Sequence, residues 1–205
     1  MSGILTNLRN TVIAGVVLTI VMIVIVMVWH SNPGIYLDLG SQEWWKFFFR
    51  WLHVLNAVMW VGLLWYFNFV QIPNMPKIPD EQKPAISKVI APAALFWFRW
   101  AAMGTIATGI ILALLNEYFG GAVLIGIVSG NPRDTAIGIG MWLGTIMWFN
   151  VWFVIWPNQK KALGMVEVDA DAKAKAARTA MLFSRANTLL SIPMLYAMVS
   201  AQNIL

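Results

Sequence analysis

The segment WWKFFFRWLHVLNAVMWVGLLWYFNFVQIP, residues 44–73, decides the fold. A helix needs about 20 apolar residues to cross a hydrocarbon core roughly 30 Å thick, and this segment is longer than that. Its first turns carry Lys46 and Arg50 among aromatic residues. We expect those turns to lie in the headgroup layer, where long basic side chains can reach water. The segment therefore predicts a membrane-spanning helix.

The composition of the whole chain agrees with a membrane protein. Hydrophobic residues make up 60% of the chain and charged residues only 11%, outside the range of ordinary soluble domains. The net charge of +5 arises from basic residues that flank the apolar runs, so we expect a lipid bilayer and no nucleic acid as the partner. The chain has no cysteine, which excludes disulfides, thiolate metal sites and covalent c-type haem attachment.

The apolar runs predict an all-α integral membrane bundle that forms a single domain over residues 1–205. The first run is too long for a signal peptide and no cleavage motif follows it, so we interpret it as a retained helix. The apolar run within residues 116–136 is too short to cross a membrane. It predicts an interfacial or re-entrant segment. About five transmembrane helices are expected near residues 11–29, 48–72, 93–115, 138–156 and 186–202, with cytoplasmic loops at 73–92 and 157–185.

The basic residues predict the orientation of a multi-pass protein. If the N-terminus lies in the cytoplasm, eleven of the fourteen Lys and Arg residues fall on the cytoplasmic side. Only Lys46, Arg50 and Arg133 fall on the other side. Because cytoplasmic loops of membrane proteins are enriched in Lys and Arg, an N-in, C-out topology is expected.

A polar stripe runs along the segment that decides the fold. His53, Asn56, Trp60 and Gln71 share one face of a helix, and polar side chains that face lipid are costly. The stripe is therefore expected to face protein. His53 could ligate a b-type haem or another metal, bind a substrate by a hydrogen bond, or relay protons. The alternative is an interfacial histidine that only bonds a neighbouring helix.

Two further residues are candidates for cofactor binding. His30 ends the first predicted helix on the same outer side as His53, so the two could form a bis-histidine haem site; His30 could instead be solvated. Arg99 could bind a carboxylate, a haem propionate or a lipid phosphate, or extend to the cytoplasmic interface. It is expected near the opposite face from His53, so that the two would not share one small ligand.

Other polar residues favour structural roles. Asn150 and Asn187 are expected to form interhelical hydrogen bonds. The chain contains no Walker loop, G-x-G-x-x-G, HExxH or G-x-S-x-G motif, so no catalytic residue is assigned.

Three stretches of the chain form a recognisable set: the pattern R-W-x-H-x(6)-W-x-G at residues 50–62, FRWAAMGTIATG at 98–109 and SRANTLLSIPML at 184–195. Together they resemble the membrane-embedded N-terminal domain of the bacterial cytochrome-c-linked urate oxidase (urate hydroxylase) family. This resemblance implies a protein of the bacterial inner membrane that is linked to purine oxidation and passes electrons to a cytochrome c. Full family members carry a C-terminal c-type cytochrome domain, so this cysteine-free chain is interpreted as a standalone form.

Two functions remain open from the sequence. The first is a redox membrane subunit with a histidine-based haem, metal or substrate site near the periplasmic face. The second is a non-catalytic accessory subunit that packs beside a larger respiratory or other membrane complex. In both, other membrane protein subunits are expected partners. A transporter is less favoured because no inverted repeat is evident.

Overall fold

The computed structural model describes residues 2–29 and 38–205, and every regular element in these residues is helical. His30, one of the candidate ligands, lies outside the described residues. Seven helical segments follow one another in these residues: α1 (Ser2–Leu5), α2 (Leu8–Trp29), α3 (Gln42–Lys77), α4 (Lys83–Leu115), α5 (Phe119–Val123), α6 (Pro132–Ala162) and α7 (Ala170–Asn203). The chain divides into two units, Met1–Phe48 and Phe49–Leu205.

Four of the described helices are long and apolar enough to cross a membrane: α2, α3, α4 and α6. The prediction of an all-helical membrane protein is confirmed to that extent. The fifth predicted span, residues 186–202, lies within α7, which is not among these four. The second half of the loop predicted at 157–185 is helical and joins this span in one helix of 34 residues, Ala170–Asn203.

The helices extend further than the sequence predicted. Helical structure continues through Pro73 to Lys77 and resumes at Lys83, so the connection predicted at 73–92 shortens to 78–82. Between α6 and α7 only residues 163–169 are non-helical. The starts of α6 and α7 are capped: the side chain of Asn131 accepts from the backbone N–H of Arg133, and that of Asp169 from Ala172.

Three π-helical turns allow the long helices to pass through prolines. They cover Tyr66–Gln71, Ile86–Ile90 and Asn150–Ile155, and each ends two residues before a proline. In the first turn, the backbone N–H of Ile72 donates to the carbonyl of Phe67, five residues back. Proline lacks an N–H and crowds the carbonyl four residues before it, and the wider turn accommodates this.

The core of the second unit lies where α3, α4, α6 and α7 meet. Trp60, Leu64 and Phe67 come from α3, and Phe67 meets Phe98 of α4 edge-to-face with ring centroids 5.7 Å apart. From α6 and α7 the core receives Met147, Val151, Ile155 and Met194. The predicted stripe on α3 therefore faces protein at the buried Trp60, whereas His53, Asn56 and Gln71 are partly buried.

Helix α7 contributes a row of small polar side chains that bond its neighbours. The Asn187 side chain is fully buried; it accepts from the Asn150 amide at 2.8 Å and donates to the Met147 carbonyl at 2.9 Å. Ser184 accepts from the Asn68 amide at 2.8 Å, and Ser191 from the Trp65 indole at 2.9 Å. The expected interhelical bonding of Asn150 and Asn187 is thus confirmed.

We predict that Asn187→Ala destabilises the bundle by roughly 1–3 kcal/mol, since it removes two buried hydrogen bonds and leaves the buried Asn150 amide without the acceptor it bonds. Unfolding in mixed micelles by increasing denaturing detergent measures this loss. Asn203→Ala is the matched control, because the Asn203 amide is exposed and bonds only the Val199 carbonyl of its own helix. Equal stability of the two variants would contradict the role of Asn187.

The charge distribution predicts that the 163–169 connection faces the cytoplasm and the 116–131 connection the other side. Because the chain has no cysteine, single cysteines placed at Glu167 and Ser129 can be labelled specifically. In intact cells a membrane-impermeant maleimide should label the position 129 variant only. After permeabilisation both should react, and the inverse pattern would show that the predicted orientation is wrong.

Candidate functional site

The imidazole of His53 lies between α3 and α4. Its Nδ1 atom is 2.9 Å from the backbone carbonyl oxygen of Thr105 and 3.2 Å from the hydroxyl of Thr108. A carbonyl oxygen can only accept, so Nδ1 must carry the proton and donate it. The neutral ring then has its lone pair on Nε2. The contact fixes both the tautomer and the orientation of the ring.

The Thr108 hydroxyl supports this assignment. It lies 2.6 Å from the carbonyl of Gly104 and donates to it, as threonine hydroxyls commonly do within helices. Its proton is therefore engaged, and its lone pairs face the Nδ1–H group of His53. One donor of His53 thus meets two acceptors of α4.

Two glycines of α4 make room for the polar side chains of α3. A Cβ atom on Gly109 would lie 3.0 Å from Cε1 and 3.3 Å from Nδ1 of His53. A Cβ on Gly104 would overlap the side-chain oxygen of Asn56. Both polar groups therefore lie directly against the α4 backbone, and any larger residue at either position would move them.

The other predicted site residues have different surroundings. Asn56 donates to the carbonyl of Leu52 in its own helix at 2.8 Å. Trp60 is fully buried in the hydrophobic core, and its indole N–H has no hydrogen-bond partner in the described residues. His53 and Asn56 thus share the α4 surface, whereas Trp60 lies one turn deeper.

Arg99 lies apart from His53. Its guanidinium carbon is 3.2 Å from the ring centroid of Trp156 on α6. His53 contacts α4 at Thr105 and beyond, about 9 Å further along that helix than Arg99. That the two residues would not share one small ligand stays a prediction.

The loop end nearest His53 carries further polar groups. The Arg133 guanidinium carbon is 6.0 Å from the ring centroid of Tyr118, and its Nη2 donates to Gln202 at 3.3 Å. Burial raises the pKa of the Tyr118 phenol above its ordinary value, although Arg50 and Arg133 oppose this shift. The phenol therefore stays protonated at neutral pH and can act as a donor.

The ligand inventory bears on which group His53 could bind. In residues 2–29 and 38–205, no three His, Cys, Asp or Glu side chains lie together so as to hold a metal ion. A haem requires less from the protein, because its porphyrin supplies four nitrogen ligands and one axial imidazole is enough. The His53 environment fits that need: Nδ1–H is bonded to a carbonyl, as in most metal-ligating histidines, and Nε2 retains its lone pair.

Sequence reasoning identified His53 and missed the residues that hold it. Ala101, Thr105 and Gly109 are small residues spaced four apart, a pattern that favours close approach of another helix but does not indicate which one. Trp156 was also missed as the partner of Arg99, since tryptophans in membrane helices are expected in the core or facing lipid. The cluster of aromatic residues before Lys160 was the sequence feature that could have indicated this contact.

Residues 126–203 match the model of the family described as "Urate oxidase N-terminal". The matched part is less than half of the chain; it contains all of α6 and α7 and one of the three similar stretches, residues 184–195. No curated protein and no solved structure shows significant similarity to the chain. The resemblance to the urate oxidase N-terminal family is therefore confirmed, and it is carried by residues 126–203.

Proposed function

We propose that this protein is a redox-linked membrane subunit in which His53 would hold a haem b near the periplasmic face. The observation that carries the proposal is the bond from Nδ1 of His53 to the Thr105 carbonyl. It directs the lone pair of Nε2 away from the α4 backbone, and it makes the imidazole a stronger ligand because the bonded N–H is partly polarised.

A haem b bound there would supply one-electron transfer. The residues of this chain would set its position: Thr105 and Thr108 hold the ring plane of His53, and Gly109 lets the ring lie close to α4. The similarity of residues 126–203 to urate oxidase supports the inference that the electrons come from oxidation of a purine or a related compound. A cytochrome c on the periplasmic side is the proposed acceptor.

The first experiment is a reduced-minus-oxidised visible spectrum of the purified protein. We predict a Soret and an α band that are lost in His53→Ala, because no axial nitrogen remains on α3.

His30→Ala tests the second ligand: loss of the low-spin α band with retention of haem would show bis-histidine coordination. A colourless wild-type preparation would overturn the haem proposal. If that preparation co-purified with a larger complex in mild detergent, the accessory-subunit function would be favoured.

A second prediction concerns the α4 surface. Gly109→Ala adds a methyl group 3.0 Å from the imidazole, so the ring must shift and lose alignment with Thr105. We expect haem retention to fall by roughly tenfold, the size of effect seen when outer-shell partners of metal ligands are lost. Haem content per protein after dilution into apomyoglobin, which captures released haem, measures this.

The matched control is Gly62→Ala, because a Cβ at that position meets no atom within 4 Å. It should retain haem as the wild type does. If Gly109→Ala and Gly62→Ala released haem at the same rate, the α4 surface would not position the ligand.

A further inference from the structure

Arg99 is a cation inside the bundle with an aromatic face beneath it. The residue is only 9% exposed, and its guanidinium carbon lies 3.2 Å from the ring centroid of Trp156 and 5.9 Å from that of Trp152. Stacking on indole is favourable for a guanidinium plane and is stronger when water is excluded. This stacking, however, provides no hydrogen-bond acceptor for the N–H groups at the edge of the guanidinium plane.

Those edge donors lack acceptors. Nε and Nη1 of Arg99 are both buried, and neither has a hydrogen-bond partner among the described residues. Arginine does not lose its proton in proteins, so the group cannot escape the cost of burial by becoming neutral. Leaving charged donors buried and unbonded is among the more costly arrangements in a protein.

No carboxylate of the described chain neutralises this charge. The ion pairs in residues 2–29 and 38–205 are Lys46 with Glu43 and Lys83 with Asp80, and neither includes Arg99. A second cation adds to the imbalance, since the Lys160 ammonium lies 5.7 Å from the centroid of the same Trp156 ring. The indole N–H of Trp152 is also buried and unpartnered. The cluster thus has an excess of donors and positive charge.

We propose that Arg99 binds an oxyanion, a carboxylate or a phosphate, that this chain does not itself provide. Stacking on Trp156 leaves the N–H groups of Nε and Nη1 unbonded at the rim of the guanidinium plane, where each can donate a charge-assisted hydrogen bond to such a group. Trp156 lies six residues from the end of α6 at Ala162, so the site is about 9 Å inside that helix end. This depth is within reach of a lipid phosphate or of a free anion that enters from the Lys160 end.

This site does not depend on the His53 proposal. It lies against α6 instead of facing the α3 imidazole, and its test involves no haem. A failure of one proposal therefore leaves the other unaffected.

The experiment compares the unfolding midpoint of protein freed of lipid in maltoside detergent before and after addition of matched probes. Dioleoylphosphatidylglycerol is compared with dioleoylglycerol, which has the same chains without phosphate; inorganic phosphate and acetate represent free anions. A ligand that binds only the folded state raises the midpoint. Stabilisation by the phospholipid alone would support a lipid phosphate, and stabilisation by phosphate or acetate a free anion. If none of the three anionic probes raised the midpoint above its control, the proposal would be overturned.

Variants locate the effect. Arg99→Gln should weaken binding of the effective probe by roughly tenfold or more, because the charge-assisted bonds are lost. Arg99→Lys should show an intermediate loss, since an ammonium keeps the charge without the planar fork. Arg178→Gln, at an exposed position of α7, is the control and should bind as the wild type does. Equal binding by the Arg99 and Arg178 variants would place the anion elsewhere and overturn the assignment.

If Arg99→Gln does not fold, Trp156→Leu provides a second test. It removes the surface on which the guanidinium is stacked while Arg99 remains. We expect several-fold weaker binding of the same probe, and unchanged binding would overturn the role of the stacked pair.

Discussion

The structure of the larger unit depends on the need to satisfy polar side chains within an apolar bundle. Asn187 illustrates this need, because its side-chain amide has no access to water. Both the oxygen and the nitrogen of that amide form hydrogen bonds with α6. Lipid provides little hydrophobic driving force between helices, so such bonds and close packing determine which faces meet. Ser184 and Ser191 extend the same contacts from α7 to α3. His53 of α3 is satisfied in the same way by the Thr105 carbonyl of α4. That hydrogen bond uses only Nδ1, so Nε2 stays available for chemistry.

Much of the fold could be predicted from the sequence because the bilayer restricts the choices. Long apolar runs must form helices, and a polar stripe such as the one containing His53 and Trp60 must face protein. The helix ends were harder to predict, since proline normally marks a boundary. Pro73, Pro92 and Pro157 lie within longer helices because the preceding turn widens, and no composition rule anticipates that change.

The candidate site could be predicted only in part, for a physical reason. His53 stands out because an imidazole in an apolar run is rare, whereas its partner is the backbone carbonyl of Thr105, which every residue type possesses. A contact with main-chain atoms has no sequence signature of its own. The same holds for Arg99: its charge is obvious in the sequence, but the stacking on Trp156 depends on how α4 and α6 are placed.

The π turns have a consequence for how the surfaces of this protein can diverge. Each fits one extra residue into a turn, so the side chains beyond it are rotated by about 100° relative to an uninterrupted α-helix of 3.6 residues per turn. In α6 the turn at Asn150–Ile155 lies between the core residue Met147 and the ring of Trp156. The faces that such a helix presents before and after the turn are therefore set independently. Gain or loss of one residue in the turn could present a new face at one end of the bundle while the packing at the other end stays as it is.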